Sequence, residues 1–162
     1  MSSIREQIVD EIVTLFGATG GPAGLGVHRE RTRPLDQEQL PAVVIYFAEE
    51  EPIPLAHQQF KAPLVERQLA LMIECRAIGT LAVAPDEALD PITVWVTKQL
   101  IQNAEDATSP LRQLANEVME GKTIWLSKEG DQPIAAAVVM FLVKYRTSRS
   151  DPTSKNAGGL TS

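Results

Sequence analysis

The most apolar stretch of the chain runs from Pro133 to Thr147, and its hydrophobic residues occupy both sides of an extended backbone. With the two-residue period of a strand, one face carries Ala135, Ala137, Val139, Phe141, Val143 and Tyr145, and the other carries Ile134, Ala136, Val138, Met140 and Leu142. A strand with one solvated face alternates between apolar and polar residues. This strand is therefore predicted to be covered on both faces, either by its own chain or by another one.

A buried helix is the alternative for the same stretch, because alanine, methionine and leucine favour helices and Asp131 before Pro133 is a possible start signal. The valines, Phe141 and Tyr145 favour the strand. A membrane span is excluded by length, since the uncharged run ends at Val143 and a span needs about 20 residues.

A second strand with two apolar faces is predicted from Leu40 to Ala48. Its faces carry Val43, Ile45 and Phe47 on one side and Ala42, Val44 and Tyr46 on the other. The three glutamates that follow, Glu49 to Glu51, point alternately to opposite sides of an extended chain. Because no histidine or further aspartate stands nearby in sequence, we interpret them as solvated charge at a strand end rather than as an acid–base or metal site.

Two more strands complete the predicted sheet. Val65 to Arg76 alternates more regularly, and its apolar side includes Cys75, which we interpret as a small core residue. Val118, Ile124 and Leu126 lead a predicted fourth strand that includes Trp125, and a predicted hairpin turn over residues 128–131 joins it to the strand from Pro133 to Thr147.

Two amphipathic helices are predicted to cover this sheet. The first begins at Ser2 or Ser3, with Glu6 in the capping-box position, and Gly17 ends it. The second is capped by Asp86 or Asp90, with Pro91 tolerated only near its first turn. Their apolar stripes are Ile4, Ile8, Ile12 and Leu15 in the first helix and Leu89, Ile92, Val96 and Leu100 in the second; a short helical turn is predicted after Ser109 and Pro110.

The order helix, strand, strand, helix, strand, strand predicts an α+β fold. We expect a two-layer sandwich in which two main helices pack on one face of a mixed, mainly antiparallel β-sheet of about four to five strands. Residues 1–147 form the predicted single domain, and residues 148–162, which have almost nothing apolar to bury, form a predicted flexible tail. Two loops separate the elements: a glycine-rich one from Gly17 to Gly26, without the lysine of a P-loop, and a proline-rich one from Pro52 to Pro63.

Composition narrows the function classes. The 15 Lys and Arg against 21 Asp and Glu give a net charge of −6, which disfavours a protein that grips nucleic acid by its phosphates. A single cysteine excludes an internal disulfide, and the start of the chain lacks a signal-peptide pattern, so we expect assembly in a reducing cytoplasm. The two histidines, His28 and His57, both lie in predicted loops, and there is a single cysteine, so we predict neither a catalytic triad nor a zinc site. A site built from carboxylates alone leaves no spacing signature, but no pattern in the chain argues for one, and we predict no cofactor and no enzymatic activity.

Several segments then match a known family in order between Ile4 and Thr147. After the first helix and a polar segment come LPAVVIYFAEEE, the strand RQLALMIECRA, the helix LDPITVWVTKQLI and a last strand closing with Val143-Lys144-Tyr145-Arg146. This series resembles the tail terminator proteins of long-tailed bacteriophages, typified by the minor tail protein U of lambda-like phages. The chain departs from the simplest members by its longer loops and by the residues after Thr147.

The resemblance implies a subunit of a six-membered ring in the virion, assembled in the host cytoplasm. The ring sits on the head-proximal end of the tail tube, stops tube polymerisation and gives the head connector a surface to dock on. Its implied partners are further copies of the chain, the tail tube protein and the connector or neck proteins, while DNA passes through without base-specific contact. The extra length is expected to contact additional tail parts, such as a contractile sheath.

Two other interpretations stay open from the sequence. One is a head-completion or neck protein on the connector side, and the other is a small cytoplasmic enzyme or ligand-binding domain whose second sheet face is covered in a dimer. The candidate subunit or partner contacts are the outward residues of the two apolar strands and the centre of the proline-rich loop. They are Val138, Met140, Leu142, Tyr46, Phe60 and Lys61.

Overall fold

The computed structural model describes residues 2–18, 20–22, 24–29, 39–53, 64–126 and 133–155. The helices and strands are α1 (Ile4–Ala18), β1 (Gly26–Arg29), β2 (Ala42–Ile53), β3 (Leu64–Ile78), α2 (Pro85–Glu105), α3 (Pro110–Leu114), β4 (Glu117–Leu126) and β5 (Ile134–Ser148). The predicted turn at 128–131 and most of the proline-rich loop lie outside the described residues.

The strands form a mixed five-stranded sheet in the order β1-β2-β3-β5-β4. β1 runs parallel to β2, and the other neighbours are antiparallel. The predicted α+β class is confirmed, and the helical alternative for Pro133 to Thr147 is wrong. β1 was not predicted, because Val27 is its one apolar residue that could show a pattern, and the strand gains its order from pairing with β2; His28 lies in this strand rather than in a loop.

β5 is an interior strand of the sheet. It pairs with β3 along its whole length, from Ile134 opposite Ile78 to Ser148 opposite Leu64, and with β4 on its other side. Both of its backbone edges are therefore hydrogen-bonded, and its side chains contact neighbouring strands on each face.

One hydrophobic core lies between the helices and one face of the sheet. Phe141, Val143 and Tyr145 of β5 are buried in it, and so are the apolar stripes of the helices. The largest side chains in this core include Phe16, Ile8, Ile12, Ile45, Leu69, Leu71, Ile73, Leu89, Ile92 and Leu100. Burying each such side chain contributes about 1.5–3 kcal/mol, so this face accounts for most of the stability of the domain.

The start of α1 is as predicted from the sequence, whereas α2 starts at a different residue. The hydroxyl of Ser3 accepts the backbone N–H of Glu6 at 3.2 Å, so the predicted N-cap of α1 is confirmed. α2 begins at Pro85, without a side-chain cap, and Pro91 lies inside it rather than in the first turn. Pro91 lies on the exposed side of α2 and has no N–H to donate within the helix. Packing of Leu89 and Ile92 into the core offsets the loss of that backbone hydrogen bond.

The described part of the glycine-rich loop packs on α2. The backbone at Gly21 approaches so closely that an added Cβ would lie 3.1 Å from the Trp95 ring. Trp95 in turn contacts Phe16 of α1, with 5.0 Å between ring centroids. Gly20 and Gly24 have positive φ angles of 65° and 77°, which glycine adopts without strain. The glycines therefore let the chain turn closely over an aromatic pair.

The chain after Thr147 differs from the expected flexible tail. Ser148 is buried as the last residue of β5, and its N–H donates to the carbonyl of Ser154 at 2.7 Å. The carbonyl of Pro152 accepts the N–H of Ile4 at 3.1 Å, and Lys155 donates to the carbonyl of Gln113. Residues 148–155 thus close over the start of α1, while residues 156–162 lie outside the described part.

We expect truncation after Thr147 to lower the free energy of unfolding by about 1–3 kcal/mol, because it leaves an N–H at the start of α1 without its partner and removes the end of β5. Truncation after Lys155 is the matched control and should leave the melting temperature nearly unchanged. Thermal unfolding followed by circular dichroism measures both. Equal melting temperatures for the two truncations would contradict a structural role for residues 148–155.

Candidate interaction surface on the open sheet face

The sheet face opposite the helices is the candidate functional surface, and we call it the open face. Cross-strand register sets its rows: Tyr46 lies opposite Met72, which lies opposite Met140, and Leu142 lies opposite Met119. The open face consists of Val44, Tyr46, Met72, Glu74, Arg76, Ala136, Val138, Met140, Leu142, Met119, Ile124 and Leu126.

Among the described residues, no helix packs on the open face. Every buried hydrophobic side chain of α1, α2 and α3 belongs to the core on the opposite side of the sheet. On the open face Val44 and Val138 are buried, the side chains of Tyr46, Met72, Met140 and Leu142 are half-buried, and Ile124 and Leu126 at the β4 edge are exposed. A contiguous apolar face of this kind marks an interaction site in soluble proteins.

One ion pair stands inside the apolar surface. Arg76 donates to Oε1 of Glu74 through Nη2 at 2.9 Å and through Nε at 3.2 Å. Both side chains are partly buried, and their pairing offsets the cost of holding charge among Val138, Ile124 and Ala136. The open face therefore combines a mainly apolar centre with this ion pair, and a second pair, Lys144 with Glu117 at 3.6 Å, lies farther along the same side of the sheet.

Tyr46 adds a polar group to the same surface. Burial raises the pKa of its hydroxyl, and the charge of Glu74 raises it further, while Arg76 lowers it. The hydroxyl therefore stays protonated at neutral pH and can donate a hydrogen bond. A half-buried tyrosine beside Met72 is the kind of aromatic anchor that contributes strongly to protein–protein binding.

The structure brings four of the predicted contact residues together. Tyr46, Val138, Met140 and Leu142 all lie on the open face. Phe60 and Lys61 lie outside the described residues. The roles of all six residues as contacts stay predictions, since lying together on one face does not by itself demonstrate binding.

Several members of the open face were missed from sequence. Met72 was grouped with polar neighbours on the mixed face of its strand, and Met119 was not assigned to any face. A register shift between Glu120 and Thr123 places two residues of β4 opposite Met140. This bulge changes the alternation within β4, so the side that Ile124 and Leu126 occupy cannot be obtained by counting from Val118.

Cys75 lies beneath the open face and points into the core, where it is fully buried. Burial raises the pKa of its thiol to about 12, with a smaller contribution from the charge of Glu74. The thiolate is the nucleophile, so this cysteine is unreactive in the folded protein, in agreement with its predicted core role.

We expect thiol labelling of Cys75 at pH 8 to follow global unfolding rather than a fast surface reaction. Because its pKa is raised in the folded state, the unfolded state loses the proton first, so the free energy of unfolding falls as pH rises from about 9 toward 12. Labelling with a chromogenic disulfide reagent, with and without denaturant, measures the rate. Complete labelling of the native protein within seconds would contradict this placement.

A second polar group, around Glu50, lies on the helix side of the sheet. A register shift between Phe47 and Glu49 places Phe47 and Glu50 on the same face, and β2 continues to Ile53. Tyr145 donates to one oxygen of Glu50, and Arg5 lies 3.0 Å from the other. The interpretation of Glu50 as solvated strand-end charge is therefore wrong, because its side chain is only 15% exposed.

The Glu50 group joins α1 to two strands of the sheet. Arg67 approaches Glu50 at 3.9 Å and donates to the hydroxyl of Thr147 at 3.1 Å, and the guanidinium of Arg5 lies 5.1 Å from the centre of the Phe47 ring. Burial raises the pKa of Tyr145 well above its ordinary value, and the hydrogen bond and charge of Glu50 raise it further. With its carboxylate occupied by three neighbours, Glu50 has a structural role rather than an acid–base one.

The described residues contain no group of three or more histidine, cysteine, aspartate or glutamate side chains placed to hold a metal ion. Within the same ranges, every helix is too short or too polar to cross a membrane.

No protein-family model matches the chain, and no curated protein is significantly similar to it.

Proposed function

We propose that this chain is a structural virion protein that caps the head-proximal end of a phage tail tube. In this role it terminates tube polymerisation and provides the interface for head–tail joining. The observation that carries the proposal is the open face, an apolar surface across β2, β3, β5 and β4 that the described helices leave uncovered. A protein that completes its burial against neighbouring copies and partners has this construction.

Three properties support the proposal together. The α+β architecture agrees with what the resemblance to tail terminators implies. The net charge of −6 suits a passage through which DNA moves without being gripped. The carboxylate of Glu50 contacts Tyr145, Arg5 and Arg67. These contacts give it a structural role rather than a catalytic one.

The proposed mechanism is steric. Copies of the chain assemble as a ring on the last tube ring, and the capped end no longer offers the surface to which a further tube subunit adds. The opposite side of the ring then receives the connector proteins of the filled head. No bond is made or broken in this process, so specificity comes from complementary surfaces and from segments that become ordered on contact.

Electron microscopy of particles made when this gene alone is disabled in its phage tests the proposal. We expect overlong tubes of uneven length beside unattached, filled heads. Tails of normal, uniform length beside unattached heads would favour a neck protein on the head side instead. Intact virions would contradict a role in the tail and would favour a small enzyme or ligand-binding domain.

Complementation with variants connects this phenotype to the open face. A plasmid copy of the wild-type gene should restore virions, whereas Met140→Glu should not, because it places a charge at the centre of the open face. Gln102→Glu is the matched control, since Gln102 is exposed on α2. Full restoration by Met140→Glu would separate the open face from the proposed function.

A further inference from the structure

β4 forms one of the two edges of the sheet, and its outer side faces no other strand among the described residues. A strand at an edge presents a row of backbone N–H and C=O groups with which another extended backbone can pair. Natural proteins protect such edges with short strands, charges or bulges. The edge at β1 is protected in this way, because β1 has four residues and ends in Arg29, which forms ion pairs with Glu6 and Asp10.

The end of β4 lacks this protection. A bulge between Glu120 and Thr123 interrupts the strand, and beyond it Thr123 to Leu126 pair regularly with β5. Ile124, Trp125 and Leu126 are consecutive and apolar, and all three are exposed. The stretch from Thr123 to Leu126 contains no charged residue. It is therefore an unprotected apolar edge, the kind to which a further strand adds.

A groove beside this edge provides space for the side chains of an added strand. It lies between α2 and β4, has a volume of about 530 Å³, and has Val94, Trp125 and Val139 as its apolar walls. Val94 is 56% exposed and Trp125 is 59% exposed. Because strand side chains alternate, a strand paired with β4 directs every second side chain toward this groove and the others beside Ile124 and Leu126. The groove has the volume of a small-ligand pocket, so it accommodates side chains rather than a folded domain.

We propose that the end of β4 is a binding site for an extended peptide segment of another protein, which adds to the sheet as a further strand beside Thr123 to Leu126. The backbone of the segment supplies hydrogen bonds to the edge. Its specificity comes from apolar side chains, β-branched or aromatic, on both of its faces. The inference goes beyond the proposed function and does not depend on it, because it concerns the edge of the sheet in any setting.

A second copy of the chain fits this edge less well than a free segment does. Residues that oppose each other in adjacent strands lie on the same face, so a two-fold pairing between two β4 strands is centred on Ile124 or on Trp125. Either pairing joins only three residues of each copy, because the bulge limits it on one side and β4 ends at Leu126 on the other. A free segment has no bulge of its own and pairs along the whole stretch.

Selection from a displayed library of random peptides of about ten residues, with the full chain as bait, tests the inference. We expect the enriched peptides to share a run of about four apolar, β-branched or aromatic residues without proline. In a synthetic copy of one such peptide, the backbone nitrogens are then methylated one at a time. Binding, measured by fluorescence anisotropy, should weaken about tenfold at every second position and little at the positions between, because only alternate N–H groups face β4.

Two variants of the chain connect this binding to the groove. Val94→Glu places a charge in an apolar wall of the groove. Leu81→Glu is the matched control, since Leu81 is also an exposed apolar residue and does not line the groove. We expect Val94→Glu to weaken binding of the selected peptide by about tenfold or more and Leu81→Glu to leave it unchanged. Both positions are exposed, so both variants should keep the wild-type melting temperature.

Amide hydrogen exchange followed by NMR locates the bound peptide. We expect exchange to slow within Thr123 to Leu126 when the peptide is added. A methylation scan without alternation would overturn the inference, and so would equal effects of the two variants or a library that yields no such peptide. Protection of the same amides that rises with protein concentration, without any peptide, would assign the edge to a second copy and would also overturn it.

Discussion

Replacing Phe141 by alanine is expected to lower the free energy of unfolding by about 3–5 kcal/mol, a large fraction of the roughly 5–15 kcal/mol that is usual for a folded domain. Phe141 is 0% exposed and lies in the middle of β5, against the core formed by the helices. The substitution removes the buried ring and leaves a cavity that close-packed neighbours fill only in part. Chemical denaturation followed by tryptophan fluorescence measures the loss.

Leu142→Ala is the control, because the next residue of the same strand points to the open face. It is only half-buried in the single chain, so its truncation should cost about 1 kcal/mol. The effect on assembly should be different. Leu142→Ala should weaken association between copies while leaving the monomer folded. Equal losses of stability for the two variants would show that the open face is covered within the monomer and would contradict its proposed availability.

Replacing Glu50 by alanine is expected to lower the free energy of unfolding by about 2–3 kcal/mol. The change leaves the hydroxyl of Tyr145 without its acceptor and leaves Arg5 and Arg67 as like charges without the carboxylate between them. Removing one partner of a buried ion pair costs about 3–5 kcal/mol, and the partial exposure of Arg5 reduces that figure here. Thermal and denaturant unfolding measure the effect.

Glu49→Ala and Glu51→Ala are the matched controls for this prediction. Both neighbouring side chains are exposed, so each substitution should change stability by less than about 0.5 kcal/mol. Tyr145→Phe separates the hydroxyl from the charge, because it removes the donor to Glu50 and leaves the arginine contacts in place. Equal effects of alanine at positions 49, 50 and 51 would contradict the bulge that turns Glu50 inward.

These two predictions assign different roles to the two faces of the sheet. Stability comes from the helix side, through Phe141 and the group around Glu50, while the open face contributes less to the folded monomer. A surface that is not needed for folding can be adapted to partners, and its three methionines, Met72, Met119 and Met140, suit contact with more than one of them. Substitutions on the open face should therefore affect assembly before they affect folding.

The sequence by itself determined the elements. The alternation around Cys75 and the stripe of α1 each repeat with the period of one secondary structure, and in the two-sided apolar run from Pro133 to Thr147 the valines, Phe141 and Tyr145 favour the strand over a helix. The cap at Ser3 is also local, because it joins residues three apart. Such signals act within a few residues, so they can be recognised without knowledge of the rest of the chain.

Only the tertiary structure decided which residues meet. The three glutamates 49–51 are identical in sequence terms, and a bulge whose position depends on pairing with β3 selects Glu50 for Tyr145, a residue 95 positions away. The ordering of β1 by β2 and of residues 148–155 over α1 likewise depends on distant partners. The open face exists because the described helices all pack on the other side of the sheet, and this is set by the packing of the whole domain rather than by the period of any strand.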